Sequence, residues 1–233
     1  MLQKYMDSNK KKNRKHEAAV PGPDCAAGKS SRKGGSERWI PFASCCTTGQ
    51  FGQLREGFKR HCGPTAAVNV VRMVENRAAA ERADGCCRSV NAHRMTPQEL
   101  FLVCADIGRQ THSYWNGDFF GHFGGTSNFL MPWFLRRCLR EAGLENKVSV
   151  RFHPWITPDA VEKALKDGAI VYLEVYFHPK YKDHHMICYA CKREDGKRRF
   201  LLSDGWSPVP VYVGDEELGH GHFMTIEPID DLI

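Results

Sequence analysis

Apolar residues recur at helical spacing in the first half of the chain, and the longest such run follows residue 62. Its spacing predicts a helix that begins at Cys62 and ends near residue 82. The apolar residues that define its buried face are Ala66, Ala67, Val70, Val71 and Val74.

Three more helices carry their own start and stop signals. In "TPQELFLVCADIG", Thr96 is the expected N-cap, Pro97 takes the first helical position and Glu99 completes a capping box. The stretch "MPWFLRRCLREAG" predicts a helix within residues 131–143, which ends at a glycine. The stretch "TPDAVEKALKDG" predicts a fourth helix within residues 157–168.

The second half of the chain is rich in β-branched and aromatic residues. Strands are predicted over residues 169–177, 185–191 and 198–204, and the pattern continues over residues 209–213 and 223–229. The link "KREDGK" contains Asp-Gly, which marks a tight hairpin turn between the second and third of these strands. Helices first and an antiparallel sheet second predict the α+β class.

The positive charge of the chain is concentrated near its N-terminus. Residues 1–38 hold ten Lys/Arg and four Asp/Glu, whereas the remainder holds 23 of each and is neutral. Residues 1–36 have the composition of a disordered basic tail, and residues 37–233 are predicted to form one domain. Because the excess charge belongs to the tail, no nucleic-acid partner is expected.

The cysteines and the apolar runs indicate a compartment. The ten cysteines are interpreted as reduced thiols, because no apolar segment follows the basic N-terminus as it would in a signal peptide. No apolar run approaches the roughly 18 residues of a membrane span. We therefore expect a cytoplasmic protein that has no membrane partner.

Cys62 stands in "CGPTA", where the first long helix is predicted to begin. A helix N-terminus carries unpaired N–H groups and about half a positive charge, which stabilise an anion. The pKa of a thiol there can fall from about 8.5 into the range of roughly 3.5–7.5. Gly63 leaves room for a substrate backbone, and Pro64 suits the first helical turn. The hypothesis is a nucleophile, and the alternative is a buried structural cysteine.

A nucleophilic thiol needs a base, and the base needs a group that orients it. His184 and His185 directly precede "MICYAC", and Asp204 ends the next predicted strand in "LLSDGW". If these strands pair through the turn between them, Asp204 lies at the height of His185 and can fix its tautomer while the other ring nitrogen faces Cys62. His185 is preferred, and His184 stays open because neighbours on a strand point to opposite faces.

Together these motifs resemble the papain-like cysteine peptidases, and the bacteriocin-processing (double-glycine leader) branch is the nearest. "CGPTA" opening a helix, a histidine opening a strand, and an acid before a tryptophan in "LLSDGW" follow the order of that family. "GAIVYLEV" is similar to its strand before the catalytic histidine, so the likeness covers about residues 50–210. It implies a helical lobe facing a β lobe, a Cys62–His185–Asp204 triad, a peptide or protein substrate cleaved through an acyl-thioester, and no cofactor.

The resemblance also implies a glutamine that donates to the oxyanion alongside the backbone N–H of the cysteine. The family usually places it about six residues before the cysteine. Here Gln53 lies nine residues before Cys62, and Gln50 lies twelve before it. Gln53 is the preferred donor, and a loop insertion would account for the spacing. Gln50 stays open.

Other motifs favour structural roles, and two other functions stay open. "CYAC" (188–191) and "HGH" (220–222) lack the further ligands of a metal site, so no metal is expected. "GHFGGTSNF" (121–129) lacks the lysine of a phosphate loop and is either a plain turn or a segment that pairs with substrate. The open functions are acyl transfer of the transglutaminase or transpeptidase type, and a non-catalytic binding module on a papain-like fold.

Overall fold

The structure, a computed structural model, describes residues 46–54, 57–84, 95–116 and 125–229. The tail predicted over residues 1–36 lies outside them. The described residues form five helices and eight strands, and six of these strands make one antiparallel sheet, so the predicted α+β class is confirmed. No helix in these ranges has the length and apolar character needed to cross a membrane.

Four of the five helices follow the local signals of the sequence, and the short first helix was not predicted. The five helices are α1 (Thr48–Phe51), α2 (Cys62–Asp84), α3 (Pro97–Gln110), α4 (Met131–Glu141) and α5 (Pro158–Lys166). The predicted capping box of α3 is formed, since the backbone N–H of Glu99 donates to Thr96 Oγ1 at 3.2 Å and that of Thr96 donates to Glu99 Oε2 at 2.8 Å. Thr157 caps α5 in the same way, by accepting from the backbone N–H of Ala160 at 3.2 Å.

The sheet contains all five predicted strands and one that was not predicted. Its strands are β3 (Val148–His153), β4 (Ile170–His178), β5 (Lys182–Glu194), β6 (Lys197–Ser203), β7 (Val211–Val213) and β8 (His220–Pro228), in the order β3-β8-β4-β5-β6-β7. The unpredicted strand is β3, which pairs with β8 at the edge. A separate ladder joins β1 (Tyr114–Trp115) to β2 (Gly125–Thr126).

The turn of the β5–β6 hairpin is the predicted one. Asp195 and Gly196 have φ angles of 51° and 75°, so both central residues adopt the positive φ of a type I′ turn. Glu194 and Lys197 pair on either side of the turn. The Asp-Gly signal therefore fixes the register at this end of the hairpin.

A β-bulge then changes that register further along the hairpin. The ladder of β5 and β6 shifts by one residue between Cys188 and Ala190. A regular ladder counted from the turn would pair Asp204 with Ile187, whereas the bulged ladder pairs Ser203 with Ile187. Because side chains alternate along a strand, this shift sends Asp204 to the other face of the sheet.

The two faces of the sheet are covered by different helices. The first, here named the α2 face, packs with α2, α3 and α4, and its strand residues in the larger core include Ile170, Tyr172, Ile187, Tyr189 and Leu201. The second, here named the α5 face, packs with α5, and its core includes Val171, Leu173, Met186, Cys188 and Leu202. Every polar side chain that points inward from the sheet therefore belongs to one of two separate environments.

Candidate active site

Cys62 is the first residue of α2, as predicted, and it is partly buried. Burial raises the pKa of its thiol to about 11, and the backbone N–H groups of His185, Gly63 and Cys62 oppose this rise without overcoming it. The Glu174 carboxyl adds to the rise. The predicted lowering of the thiol pKa is therefore wrong for this arrangement, in which Cys62 is a neutral thiol at pH 7.

The space next to Gly63 is filled by β2 of the same chain. A Cβ atom on Gly63 would lie between 2.2 and 2.7 Å from three side-chain atoms of Thr126, so only glycine permits this approach. The room that the sequence predicts for a substrate backbone is thus taken by Thr126. A substrate that uses this room would have to displace β2.

His185 lies opposite Glu174 on the α2 face. The two residues are direct partners in the register of β5 and β4, and alternation places His185 with Ile187 and Glu174 with Tyr172 on this face. Their side chains are 6% and 1% exposed, and His185 Nδ1 lies 3.9 Å from Glu174 Oε1. Neither of these two atoms has a hydrogen-bond partner.

Burial keeps both members of this pair uncharged when each is taken alone. Burial and the neighbouring His184 lower the pKa of His185 to about 3, against a hydrogen bond to the Thr126 backbone. Burial raises the pKa of Glu174 to about 8, and a hydrogen bond from Tyr176 opposes the rise only in part. Between about pH 3 and pH 8, one proton is shared between His185 Nδ1 and Glu174 Oε1, whichever of these two atoms carries it.

Asp204 does not contact His185, contrary to the sequence prediction. Its carboxylate accepts hydrogen bonds from the backbone N–H groups of Trp206 and Ser207 at 2.9 and 2.7 Å and from the Ser207 hydroxyl at 3.1 Å. The Tyr181 hydroxyl donates to it at 3.2 Å. These four donors make Asp204 the organising residue of the turn that follows β6.

The neighbouring histidine is the one that meets Asp204. His184 Nε2 lies 2.6 Å from the backbone oxygen of Asp204, and its ring packs against Tyr181 and Trp206 at centroid distances of 5.7 and 4.7 Å. The cause is the bulge in β5, because the prediction assumed a regular ladder from the turn. Asp204 therefore belongs with His184, on the side of the α5 face.

In the described ranges, neither candidate glutamine is hydrogen-bonded to the thiol of Cys62. The Gln50 Oε1 atom accepts a hydrogen bond from the backbone N–H of Thr47 at 2.7 Å, which caps α1. Gln53 is exposed in the turn after α1. Within the described part of the chain, no hydrogen bond joins either amide to Cys62, and the hydrogen-bond donors beside the sulfur are backbone N–H groups.

The "HGH" segment contributes a histidine next to Glu174. His222 pairs with Glu174 in the register of β8 and β4, and its Nδ1 lies 2.9 Å from the Tyr176 hydroxyl. That hydroxyl also donates to Glu174 Oε2 at 3.5 Å. No group of three His, Cys, Asp or Glu side chains among the described residues is arranged to hold a metal ion.

Comparisons with known proteins were made for family, sequence and fold. Nothing matches. No family model, no curated protein and no solved structure is significantly similar to this chain. The likeness to papain-like peptidases therefore rests on the local motifs, and the function rests on the chemistry of the residues around Cys62.

Glu174 is the site residue that the sequence interpretation did not single out. It is the one charged residue in the strand "AIVYLEVYF", whose other members are apolar or aromatic. A carboxyl in a central strand loses its hydration on folding, so such a residue is rarely placed there for packing alone. That interruption of an apolar run is the signal that could have indicated it.

Proposed function

We propose that this protein is a cysteine hydrolase of the peptidase type, which cleaves amide bonds through a thioester at Cys62. One observation carries the proposal: the thiol that begins α2 lies beside the His185 backbone N–H and within the electrostatic influence of Glu174, which faces the His185 ring. A thiol, an imidazole and a carboxyl on facing elements are the parts that nucleophilic catalysis requires. A papain-like arrangement of helical and β lobes is part of this proposal.

The reaction starts from a neutral thiol and a neutral imidazole. Sγ of Cys62 attacks the carbonyl carbon of the substrate while its proton passes to a ring nitrogen of His185. The backbone N–H groups of Cys62 and Gly63 can donate to the oxyanion, and Gln53 would join them only by moving from its exposed position. Collapse breaks the C–N bond, and His185 returns the proton to the leaving amine. Water then attacks the thioester, which releases the acid and restores the thiol.

A generic acyl donor tests this chemistry without knowledge of the substrate. The full chain is treated with p-nitrophenyl acetate, and acetylation of each cysteine is followed by peptide mass spectrometry. Cys191 is the matched control, because it is also a partly buried free thiol whose pKa burial raises. We expect Cys62 to be acetylated roughly 10²-fold faster than Cys191, and His185→Ala to abolish the difference. Equal rates in the wild type would overturn the proposal.

The fate of the acetyl group separates hydrolysis from acyl transfer. Turnover that yields acetate in the presence of glycinamide supports a hydrolase. N-acetylglycinamide as the main product would indicate a transferase of the transglutaminase or transpeptidase type.

The six free cysteines in the described part of the chain suit a reducing compartment, so we place this activity inside the cell.

One observation favours a second function, a binding module without catalysis. Thr126 packs directly on Gly63, and the pKa of the Cys62 thiol is raised rather than lowered. A module of this kind would retain the packing and show an unreactive Cys62. The same acetylation experiment decides between the two functions.

A further inference from the structure

Among the described residues, three buried side-chain polar atoms lack a hydrogen-bond partner, Thr126 Oγ1, Glu174 Oε1 and His185 Nδ1, and the last two face each other. The Nδ1 and Oε1 atoms are 3.9 Å apart, and both lack partners. A hydrogen bond between them needs a distance of about 2.8 Å, which is a side-chain movement of about 1 Å. Two buried polar atoms without a hydrogen bond lower the stability of the fold. The presence of this pair therefore indicates a role other than packing.

The surroundings of Glu174 leave His185 as its partner. From its own strand Tyr176 donates to the other carboxyl oxygen, and the buried Tyr172 lies within its electrostatic range. From β8 the facing residue is His222, whose Nδ1 is bonded to Tyr176. From α2 the facing titratable group is the Cys62 thiol.

The surroundings of His185 are equally restricted. His184, its neighbour on β5, points to the opposite face and is bonded to the Asp204 backbone. Asp204 uses both carboxylate oxygens on the turn at residues 204–207 and on Tyr181. Because Nδ1 faces Glu174 without a partner, the ring's hydrogen bond to the Thr126 backbone is made by Nε2, and Nε2 can serve the thiol only when this bond opens.

We propose that Glu174 is the positioning residue of His185 and that its ionisation sets the tautomer of the imidazole. This proposal rests on the proposed function. A protonated Glu174 donates to Nδ1 and leaves the ring proton on Nε2, where the ring cannot accept a proton from Cys62. An ionised Glu174 accepts from Nδ1–H, which frees the lone pair of Nε2 to act as the base.

The pKa values of the pair support this switch. Burial raises the pKa of Glu174 to about 8 and lowers that of His185 to about 3, so the imidazole stays neutral while the carboxyl titrates. The change near pH 8 is therefore a change of tautomer and not a change in the charge of the ring. The base becomes competent as the pH rises through this value.

NMR of protein labelled with ¹⁵N-histidine tests the switch without any substrate. We expect His185 to carry its proton on Nε2 at pH 6.5 and on Nδ1 at pH 9.5, with a midpoint near 8 in accord with the Glu174 pKa. Glu174→Gln should remove this step, and Asp204→Asn should leave it in place. The His184 ring is an internal control, because its Nε2 is held by the Asp204 backbone oxygen.

Glu174→Gln preserves shape and replaces a neutral acid by a neutral amide, so the variant should fold at pH 7. An unchanged His185 step in this variant would overturn the proposal, and so would its loss in Asp204→Asn. Tyr176→Phe gives a second variant, in which the step should move to higher pH because its hydroxyl lowers the Glu174 pKa.

Activity gives an independent readout of the same switch. In the wild type the acetylation rate of Cys62 by p-nitrophenyl acetate should rise about tenfold per pH unit up to pH 8, as for a single titrating group. Glu174→Gln should flatten this rise. If Cys62 is unreactive throughout while the NMR step remains, the proposed hydrolase fails and the assignment of Glu174 stands. If Cys62 is reactive and the step is absent, the hydrolase stands and the assignment fails.

Discussion

His184 and His185 are neighbours on β5 and occupy opposite environments. His184 is held between two aromatic rings and its Nε2 contacts the Asp204 backbone oxygen. His185 is equally buried, yet its Nδ1 has no partner and faces the unpartnered Oε1 of Glu174. Each unpaired buried polar atom costs about 1–3 kcal/mol, so only the first environment is built for stability.

Residues that are adjacent in sequence therefore need not share a role when they lie on a strand. Alternation gives one histidine to the α5 face and the other to the α2 face, where the helix that begins with Cys62 packs. On the α5 face, His184 and Asp204 organise the turn that follows β6. On the α2 face, His185 and Glu174 are the groups that exchange a proton in the proposed function.

The largest expected effect comes from exchanging each histidine for alanine in turn. His185→Ala should lower the acetylation rate of Cys62 by about 10²-fold, to the rate of Cys191, because the proposed base is lost. His184→Ala should keep that rate within threefold and lower stability instead, since its ring supports Tyr181 and Trp206. The measurements are p-nitrophenyl acetate kinetics and urea unfolding of both variants.

The same two variants also test which histidine is the base. Circular dichroism at the temperature of the assay is the control for folding. If His184→Ala loses acetylation while the fold and His185 stay intact, the base is His184 on the α5 face and not His185.

The next effect concerns stability on the two sides. Asp204→Ala removes an acceptor that four donors share, so it should lower the free energy of unfolding by about 3 kcal/mol. Glu174→Gln at pH 6 should cost less than about 1 kcal/mol, because it exchanges one neutral group for another of the same shape. Urea midpoints of the two variants give the comparison. A larger loss in Glu174→Gln would mean that Glu174 is the structural carboxyl.

Four of the five helices could be predicted from sequence because their signals are local. Thr96 forms the cap that was expected, Thr157 caps the helix predicted within residues 157–168, and Asp195-Gly196 makes the expected turn. Strand β3 was missed because it is an edge strand with exposed residues such as Phe152, so its pattern lacks a continuous apolar run.

The site could be predicted only in part, because its partners depend on register. Cys62 begins a helix as predicted, and His185 lies in a predicted strand, although β5 begins three residues earlier, at Lys182. The partner of the imidazole depends on a one-residue bulge between Cys188 and Ala190, and the sequence contains no glycine there to indicate it. The closeness of Thr126 to Gly63 is a tertiary contact between distant segments, which no local pattern encodes.

A smaller effect appears when stability is measured against pH. The folded pKa of Glu174, about 8, lies above its ordinary value of 4.5, so its contribution is complete below pH 4.5 and is lost as the pH rises to 8. The free energy of unfolding of the wild type should therefore fall, relative to that of Glu174→Gln, by up to about 1.4 kcal/mol per pH unit in this window. Urea unfolding at half-unit steps measures the difference.

The exposed Glu216 offers a matched control for this exchange of a carboxyl for an amide. Glu216→Gln differs from Glu174→Gln in burial and not in chemistry. A constant difference between wild type and Glu174→Gln from pH 4.5 to 8 would show that the carboxyl ionises normally. The two histidine environments would then differ in packing alone.

A last variant tests whether Tyr176 and His222 influence the ionisation of Glu174. Tyr176 bonds to His222 and approaches Glu174 Oε2, whereas Tyr212 is a partly exposed tyrosine on β7. Tyr176→Phe should raise the pKa of Glu174 by less than about one unit and lower the free energy of unfolding by about 1 kcal/mol, since the hydrogen bonds of its hydroxyl to His222 and Glu174 are lost. The ¹³C shift of the Glu174 carboxyl reports this pKa, and Tyr212→Phe is the control. An unchanged pKa in Tyr176→Phe would confine the proton exchange to His185 and Glu174, with Tyr176 and His222 serving the packing of β4 on β8.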